Sequence, residues 1–375
     1  MDYPSEMTVI GKRAGLASRR LAIMPTADKN ACLEGIAAAI DDARDAISGA
    51  NRTDMDAGRD GGLTAALLDR LELTPGRIDA IITGLHDMVG LDDPVGVVDR
   101  EVTLENGLRM QKVRVPIGVI GIIYESRPNV TVDAAGLCLK AGNAIILRGG
   151  SEAVHSNRAL AAAINDGGAR AGLPEFAVQL LPWQDREAVT AMLKLDEHIH
   201  LIIPRGGEGL IRYVTHTATI PVIKHSKGVC HVYVDKEADQ DMALAITVNA
   251  KCQRPGVCNA AETVLVHKDI AGEFAPVMAE KLMSHGVELR GDARFRALVP
   301  NAKAATDDDW DEEYLDLILA CGVVDSVDEA IEHISRHGSS HSDSIVTGNV
   351  ETGERFIREV DSAAVYVNAS TRFTD

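Results

Sequence analysis

The segment Lys251-Cys252-Gln253-Arg254-Pro255-Gly256-Val257-Cys258-Asn259-Ala260 sets a thiol in a Pro-Gly turn just ahead of an apolar, strand-like run, Thr263 to Val266. Cysteine attacks an electrophilic carbon as its thiolate, a form that cations close in sequence, Lys251 and Arg254, favour. Cys258 is therefore a candidate nucleophile, beside the plainer reading of an inert packing residue. Cys252 closes a helical stretch and reads as packing. The other four cysteines (Cys32, Cys138, Cys230, Cys321) are scattered without C-x-x-C or finger-like spacing. That pattern points to reduced thiols rather than a disulfide framework or a zinc site.

Two further junctions are rich in Gly and Arg: Leu147-Arg148-Gly149-Gly150-Ser151 and Pro204-Arg205-Gly206-Gly207-Glu208-Gly209. A glycine loop opening a helix presents backbone N–H groups at the positive end of the macrodipole, which suits a phosphate. Neither is a G-x-G-x-x-G fingerprint, and an ordinary tight turn is the competing reading. Lys224-His225-Ser226-Lys227-Gly228 clusters cations after the short run Pro221 to Ile223, a candidate anion site if that run is a parallel strand. No metal is expected: His198-x-His200 lacks completing ligands, and the His333, His337, His341 series is cut by Gly338-Ser339-Ser340. The acidic run Asp307-Asp308-Asp309 and Asp311-Glu312-Glu313 reads as a solvated loop.

These residues need elements to position them. Ile10, Ala14, Leu16 and Leu21 recur near the helical period, the Ala-rich run Ala31 to Ile47 propagates a helix, and Thr74-Pro75 opens another through Leu85. From Val102 to Val115 short segments flank Asn106-Gly107, which predicts a β-hairpin with a two-residue turn, a flap at about 101–115 that pairs with a partner subunit. Beyond Pro116 unalternated apolar runs (Val119–Tyr124, Ala144–Leu147, Phe176–Leu181, His200–Ile203, Val222–Ile223) alternate with helical stretches. This predicts an α/β fold with doubly wound parallel sheets. A second series covers 230–234, 243–248, 263–266, 271–284, 326–334 and 363–367. The boundary is set near Gly228, giving domains 1–228 (cofactor-binding) and 229–375 (catalytic).

The 375 residues are 46% hydrophobic, enough for large cores, and carry a net charge of −18, which repels phosphate backbones and anionic lipid. Nucleic-acid and membrane partners are not expected. The chain has neither a spanning apolar run nor a secretory leader, so a cytoplasmic location is expected.

The blocks VPIGVIGIIYESRPNVTVDAAGLCLKAGNAIILRGGSEA, LIIPRGGEGLIRYV, IPVIKHSKGVCHVYVD, QRPGVCNAAETVLV and VVDSVDEAIEHISRHGSSHSDSIVTGN resemble the gamma-glutamyl phosphate reductases (glutamate-5-semialdehyde dehydrogenases) of the aldehyde dehydrogenase superfamily. The resemblance implies an aldehyde-dehydrogenase-like fold and an oxidoreductase of proline biosynthesis. The implied reaction is NADPH-dependent reduction of L-glutamyl 5-phosphate to L-glutamate 5-semialdehyde, with release of phosphate through a thioester on Cys258. Its backbone N–H would serve the oxyanion. By the same resemblance Arg148, Gly149, Ser151, Arg205, Gly206, Gly207 and Glu313 would meet the cofactor, NADP being favoured where Ser151 stands instead of a carboxylate. Arg127, Asn129, Lys224, His225 and Arg254 would meet substrate or phosphate. The hydrolytic members' general-base glutamate has no counterpart near Lys224, which suits an enzyme that must keep water from its thioester.

The family's sequences run on past Arg372-Phe373-Thr374-Asp375 into a glycine-rich loop, so a C-terminally short catalytic domain is expected, with homo-oligomerisation depending on that segment. A catalytically silent fragment that binds nucleotide or a partner chain is the alternative, and a cysteine hydrolase pairing Cys258 with His225 is a third reading.

Overall fold

The computed structural model describes residues 2–224 and 227–374. The chain divides after Lys224 into two compact units. The first opens with helices α1 (Tyr3–Leu21), α2 (Thr26–Asp42), α3 (Arg44–Asp60), α4 (Ala65–Leu71) and α5 (Pro75–Gly90). The Thr74 side chain accepts from Arg77 N–H and Pro75 stands in the first turn, the start that the dipeptide predicts. Two details depart from the sequence reading. Leu16 is 64% exposed, the buried stripe of α1 being Met7, Gly11, Ala14, Ala17 and Leu21. The Ala-rich run is not one helix, because Ala43 leaves helical geometry (ψ 8°) and Arg44 pairs with Asp41 and Asp79 where the chain restarts.

A separate hairpin follows, β1 (Val98–Thr103) antiparallel to β2 (Arg109–Val113) and almost wholly exposed. Its loop is longer than expected. Gly107 N–H donates to Leu104 O, Leu104 N–H donates to Leu108 O, and Gly107 lies at φ +84°. Asn106 keeps negative φ and its side chain accepts from Leu108 N–H, so the turn has three residues with glycine in the left-handed place.

The sheet of this unit runs β5-β4-β3-β6, all parallel: β3 (Val119–Tyr124), β4 (Ala144–Gly149), β5 (Val178–Leu180) and β6 (Leu201–Arg205). All six residues of β3 are buried, as a strand covered on both faces requires. The helices α6 (Asn129–Lys140), α7 (Val154–Arg170) and α8 (Arg186–Leu193) connect the strands, and α9 (Glu208–Thr217) follows β6. The run at Val222–Ile223 makes only one bridge, Val222 to Ile202, and Ile223 is largely exposed, so it is no full strand.

The second unit holds a seven-stranded parallel sheet, order β10-β9-β11-β8-β7-β12-β13. In chain order its elements are β7 (Cys230–Val234), α10 (Gln240–Cys252), β8 (Ala261–His267), α11 (Lys268–Ser284), β9 (Glu288–Gly291), α12 (Ala293–Leu298), β10 (Lys303–Ala304), β11 (Ile318–Val324), α13 (Val327–His337), β12 (Ser342–Val346), α14 (Val350–Glu359) and β13 (Ala364–Val367). The sequence series lacks β9, β10, β11 and β12. The strand β12 opens on polar residues rather than an apolar run, yet Ser342, Asp343 and Ser344 are all buried and hydrogen-bonded. Asp343 accepts from His231 N–H at 2.8 Å, and the Ser344 hydroxyl donates to Ala369 O at 2.6 Å.

The acidic run is likewise not simply a solvated loop. Asp309 is 5% exposed, paired with Arg290 at 2.6 Å and bonded by Thr306 N–H and the Tyr314 hydroxyl. Burial opposes its charge, but those partners outweigh it and hold the carboxyl at about 2.

Candidate functional site

In the first unit, β4, β3 and β6 are parallel neighbours, so the loops at their carboxyl ends gather at one edge of the sheet. There the structure brings together 125–129, 148–151 and 205–207. Two carboxylates lace them. Glu125 accepts from Gly207 N–H at 2.9 Å, and Glu152 accepts from both the N–H and the hydroxyl of Ser126, which sits at φ +49°. Glu125 also lies over Gly206, where a Cβ would fall 2.4 Å from its Oε2 and oblige the carboxylate to move. Arg148 is half-buried, donates from Nη2 to Gln184 O at 2.8 Å, and has its Nε buried without a hydrogen-bond partner among the described residues. Ser151 is exposed and Gly149 buried.

Arg127 is half-buried, and Asn129 donates to Asp133 at 2.8 Å from the first residue of α6. Arg205, at the end of β6, and Lys224 are exposed; Lys224 lies two residues past Val222, which bridges β6 in parallel. His225 falls outside the described residues. His200 serves the fold, its Nδ1 accepting from Val119 N–H at 3.0 Å. Among the described residues no group of three or more His, Cys, Asp or Glu side chains is placed to hold a metal ion, and no helix is long and apolar enough to cross a membrane.

In the second unit Cys258 stands half-buried on the loop joining α10 to β8, with Arg254 exposed on the same loop. The loop is held from several sides. Cys230 Sγ donates to Cys258 O at 3.2 Å, and Gly228 presses so close that a Cβ there would lie 1.9 Å from the same oxygen. Arg372, on the short helical turn Thr371–Thr374, donates from Nε to Gln253 Oε1 at 2.7 Å and from Nη1 to Asn259 Oδ1. All six cysteines are reduced. Burial raises the thiols of Cys32, Cys138, Cys230, Cys252 and Cys321 above the ordinary value, which makes them poor nucleophiles at neutral pH. Glu313 is half-buried beside Tyr314, whose hydroxyl donates to Asp309.

Lys251 is fully buried and pairs with Glu262 at 2.6 Å.

Comparison with known proteins bears on this arrangement. The aldehyde dehydrogenase family profile matches residues 5–313. The chain is 55% identical to the gamma-glutamyl phosphate reductase of Moorella thermoacetica and 52% to that of Halothermothrix orenii, covering all of itself and 90% of each relative. The crystal structure of gamma-glutamyl phosphate reductase from Thermotoga maritima superposes with a TM-score of 0.95 at 49% identity, over 99% of this chain and 89% of that one. The chain belongs to the aldehyde dehydrogenase family, among its gamma-glutamyl phosphate reductases.

That membership makes the fold aldehyde-dehydrogenase-like, the exposed hairpin included, as the sequence blocks imply. The sequence reading passes over several residues that shape the cysteine loop of this family member: Gly228, Cys230, Glu262 and Arg372. Glu262 carries a signal, being a lone acid inside the apolar run Ala260 to Val266, a place that demands a buried partner. Cys230 and Arg372 carry none, because only the tertiary fold sets them against residues 28 and 119 positions away, respectively.

Proposed function

We propose that this chain reduces L-glutamyl 5-phosphate to L-glutamate 5-semialdehyde, releasing phosphate, with NADPH as its nicotinamide cofactor. The observation that carries the reading is Cys258 itself: a half-buried thiol on a loop fixed at its carbonyl, in a chain 55% identical over its whole length to a gamma-glutamyl phosphate reductase. Its thiolate attacks the acyl carbon, the C–O bond to phosphate breaks, and a thioester remains on Sγ. The Cys258 N–H donates to the carbonyl oxygen as charge develops. The nicotinamide, when bound, supplies the hydride that takes the acyl group to the aldehyde level. Collapse then returns the thiolate. With no carboxylate aligned as a general base at Lys224, the thioester is kept from hydrolysis.

Features at the strand ends of the first unit suit a dinucleotide phosphate. Gly149 and Gly150, both buried, bring no side chain between the end of β4 and the exposed Ser151, and Arg148 has a buried Nε without a hydrogen-bond partner among the described residues. Arg148 and Ser151 receive the 2′-phosphate in this reading, while Gly206, Gly207 and Arg205 flank the cofactor and Glu313 holds its ribose. Arg127, Asn129, Lys224, His225 and Arg254 meet the substrate's anionic groups. The exposed apolar side chains of the hairpin (Val98, Met110, Val113) support its use as an oligomerisation flap.

The test is direct. NADP, phosphate and glutamate semialdehyde should yield NADPH, and Cys258→Ala should lower turnover by at least about a thousandfold while nucleotide still binds. With acyl phosphate and no nucleotide, phosphate release should stop at one equivalent per site. Continuous release would mark a hydrolase, and nucleotide binding without any acylation a silent protein.

A further inference from the structure

The loop bearing Cys258 is bracketed by two charged residues that never meet solvent. Lys251, in the last turn of α10, and Glu262, second residue of β8, are both wholly buried, with Nζ and Oε2 2.6 Å apart. The other oxygen of Glu262 accepts from Leu315 N–H at 3.2 Å. Leu315 sits at φ +53°, a conformation that costs a leucine about 1 kcal/mol and persists where surroundings enforce it. Between Leu315 and Glu313 lies Tyr314, whose hydroxyl donates to Asp309 at 2.8 Å and whose ring faces Lys251 Nζ at 5.9 Å and Arg290 at 5.1 Å. Residues 313–315 are thus held by Asp309 on one side and by Glu262 on the other.

A buried ion pair is a poor way to gain stability, since apolar side chains of the same volume usually do as well or better. Its geometry is what apolar residues cannot replace: one carboxylate fixes a helix end and a strand start, and reaches a third segment. We propose that the Lys251–Glu262 pair is a positioning device for the reaction, clasping both ends of the Cys258 loop and setting the Glu313 segment in register with it through the Leu315 N–H. The inference rests on the reading of Cys258 as the nucleophile and of Glu313 as a cofactor contact. Cys258 lies between the two charged residues in sequence, and Glu313 lies two residues before Leu315, which donates to Glu262, so a slip of the clasp moves thiol and cofactor contact together.

Two double variants of the full chain separate positioning from bulk stability. Lys251→Met/Glu262→Gln removes both charges but keeps an oxygen for Leu315; Lys251→Met/Glu262→Leu removes that as well. The readouts are melting temperature, NADPH affinity by fluorescence titration, and the rate at which iodoacetamide alkylates Cys258, followed on its peptide by mass spectrometry. The glutamine variant should stay within about threefold of the parent in affinity and alkylation, and the leucine variant should lose about tenfold or more in affinity with a comparable change in alkylation rate. A folded leucine variant that matches the glutamine variant in both overturns the proposal. If the leucine variant does not fold, Glu262→Asp replaces it: the shorter acid still faces Lys251 but cannot also reach Leu315, and the same two readouts decide. Retained turnover in Cys258→Ala would instead defeat the underlying reading, and the nucleotide titration reports on the clasp independently of thiol chemistry.

Discussion

The Sγ of Cys230, first residue of β7, donates to the carbonyl oxygen of Cys258 at 3.2 Å, so a fully buried strand fixes the peptide that carries the proposed nucleophile. Gly228 completes this support from the same segment, its missing side chain leaving room for the Cys258 carbonyl.

Gly228→Ala should therefore act at a distance from the thiol's own chemistry. The new methyl group would overlap Cys258 O, and backbone must shift to relieve it, at about 1–3 kcal/mol. Turnover should fall about tenfold or more as the loop moves. Gly272→Ala on α11, where a Cβ meets open space, is the control and should raise the melting temperature slightly. Unaltered kinetics in a folded Gly228→Ala protein would show that the loop position does not matter.

Cofactor choice should respond to Arg148. Arg148→Ala removes the cation proposed for the 2′-phosphate, so NADPH affinity should drop about tenfold or more while NADH affinity changes little. Ser151→Asp should act in the same direction through repulsion. Parallel titrations with both nucleotides read the outcome, and equal losses for the two would argue against a 2′-phosphate at this end of β4.

The histidine row of the second unit should make stability depend on acid. His333 lies edge-on to His231 and Trp310 and beside His337. Burial, and then the nearby His231 and His337, push it down to about 3 from the ordinary 6.5. Because the folded value is depressed, this group's contribution is whole above pH 6.5 and is lost as pH falls toward the folded value, by at most about 1.4 kcal/mol per pH unit. His333→Gln should flatten the fall in melting temperature between about pH 6 and 4. An unchanged slope would assign the acid lability to other groups.

Asn51 should matter for the helical part of the first unit. It is buried, donates to Leu71 O at 2.9 Å and Ser156 Oγ at 3.1 Å, and accepts from Leu73 N–H at 2.8 Å. Asn51→Ala removes the side-chain partner of Leu71 O and Leu73 N–H, while Ser156 Oγ keeps its bond to Asp54, and should cost about 2–4 kcal/mol, read as a lowered denaturation midpoint. Activity per folded molecule should be retained.

The sequence by itself determined the parallel α/β character, because runs such as Val119–Tyr124 are apolar at every position and such strands must be covered on both faces. It also singled out Cys258, since a thiol in a Pro-Gly turn before a strand is legible from residue types and neighbours in the chain. It misjudged segments whose polar residues are buried. Asp309 reads as solvent-facing, and the strand Ser342–Val346 is passed over, because local patterning cannot register partners such as Arg290 or His231, distant in sequence. The tertiary structure alone decided what fixes the cysteine loop. Lys251, close to the thiol in sequence, turns to Glu262, while Cys230, Gly228 and Arg372 come from elsewhere in the chain to hold the loop. Charge and hydrophobicity act along the chain and can be read there, whereas hydrogen bonds and close packing depend on which segments meet in space.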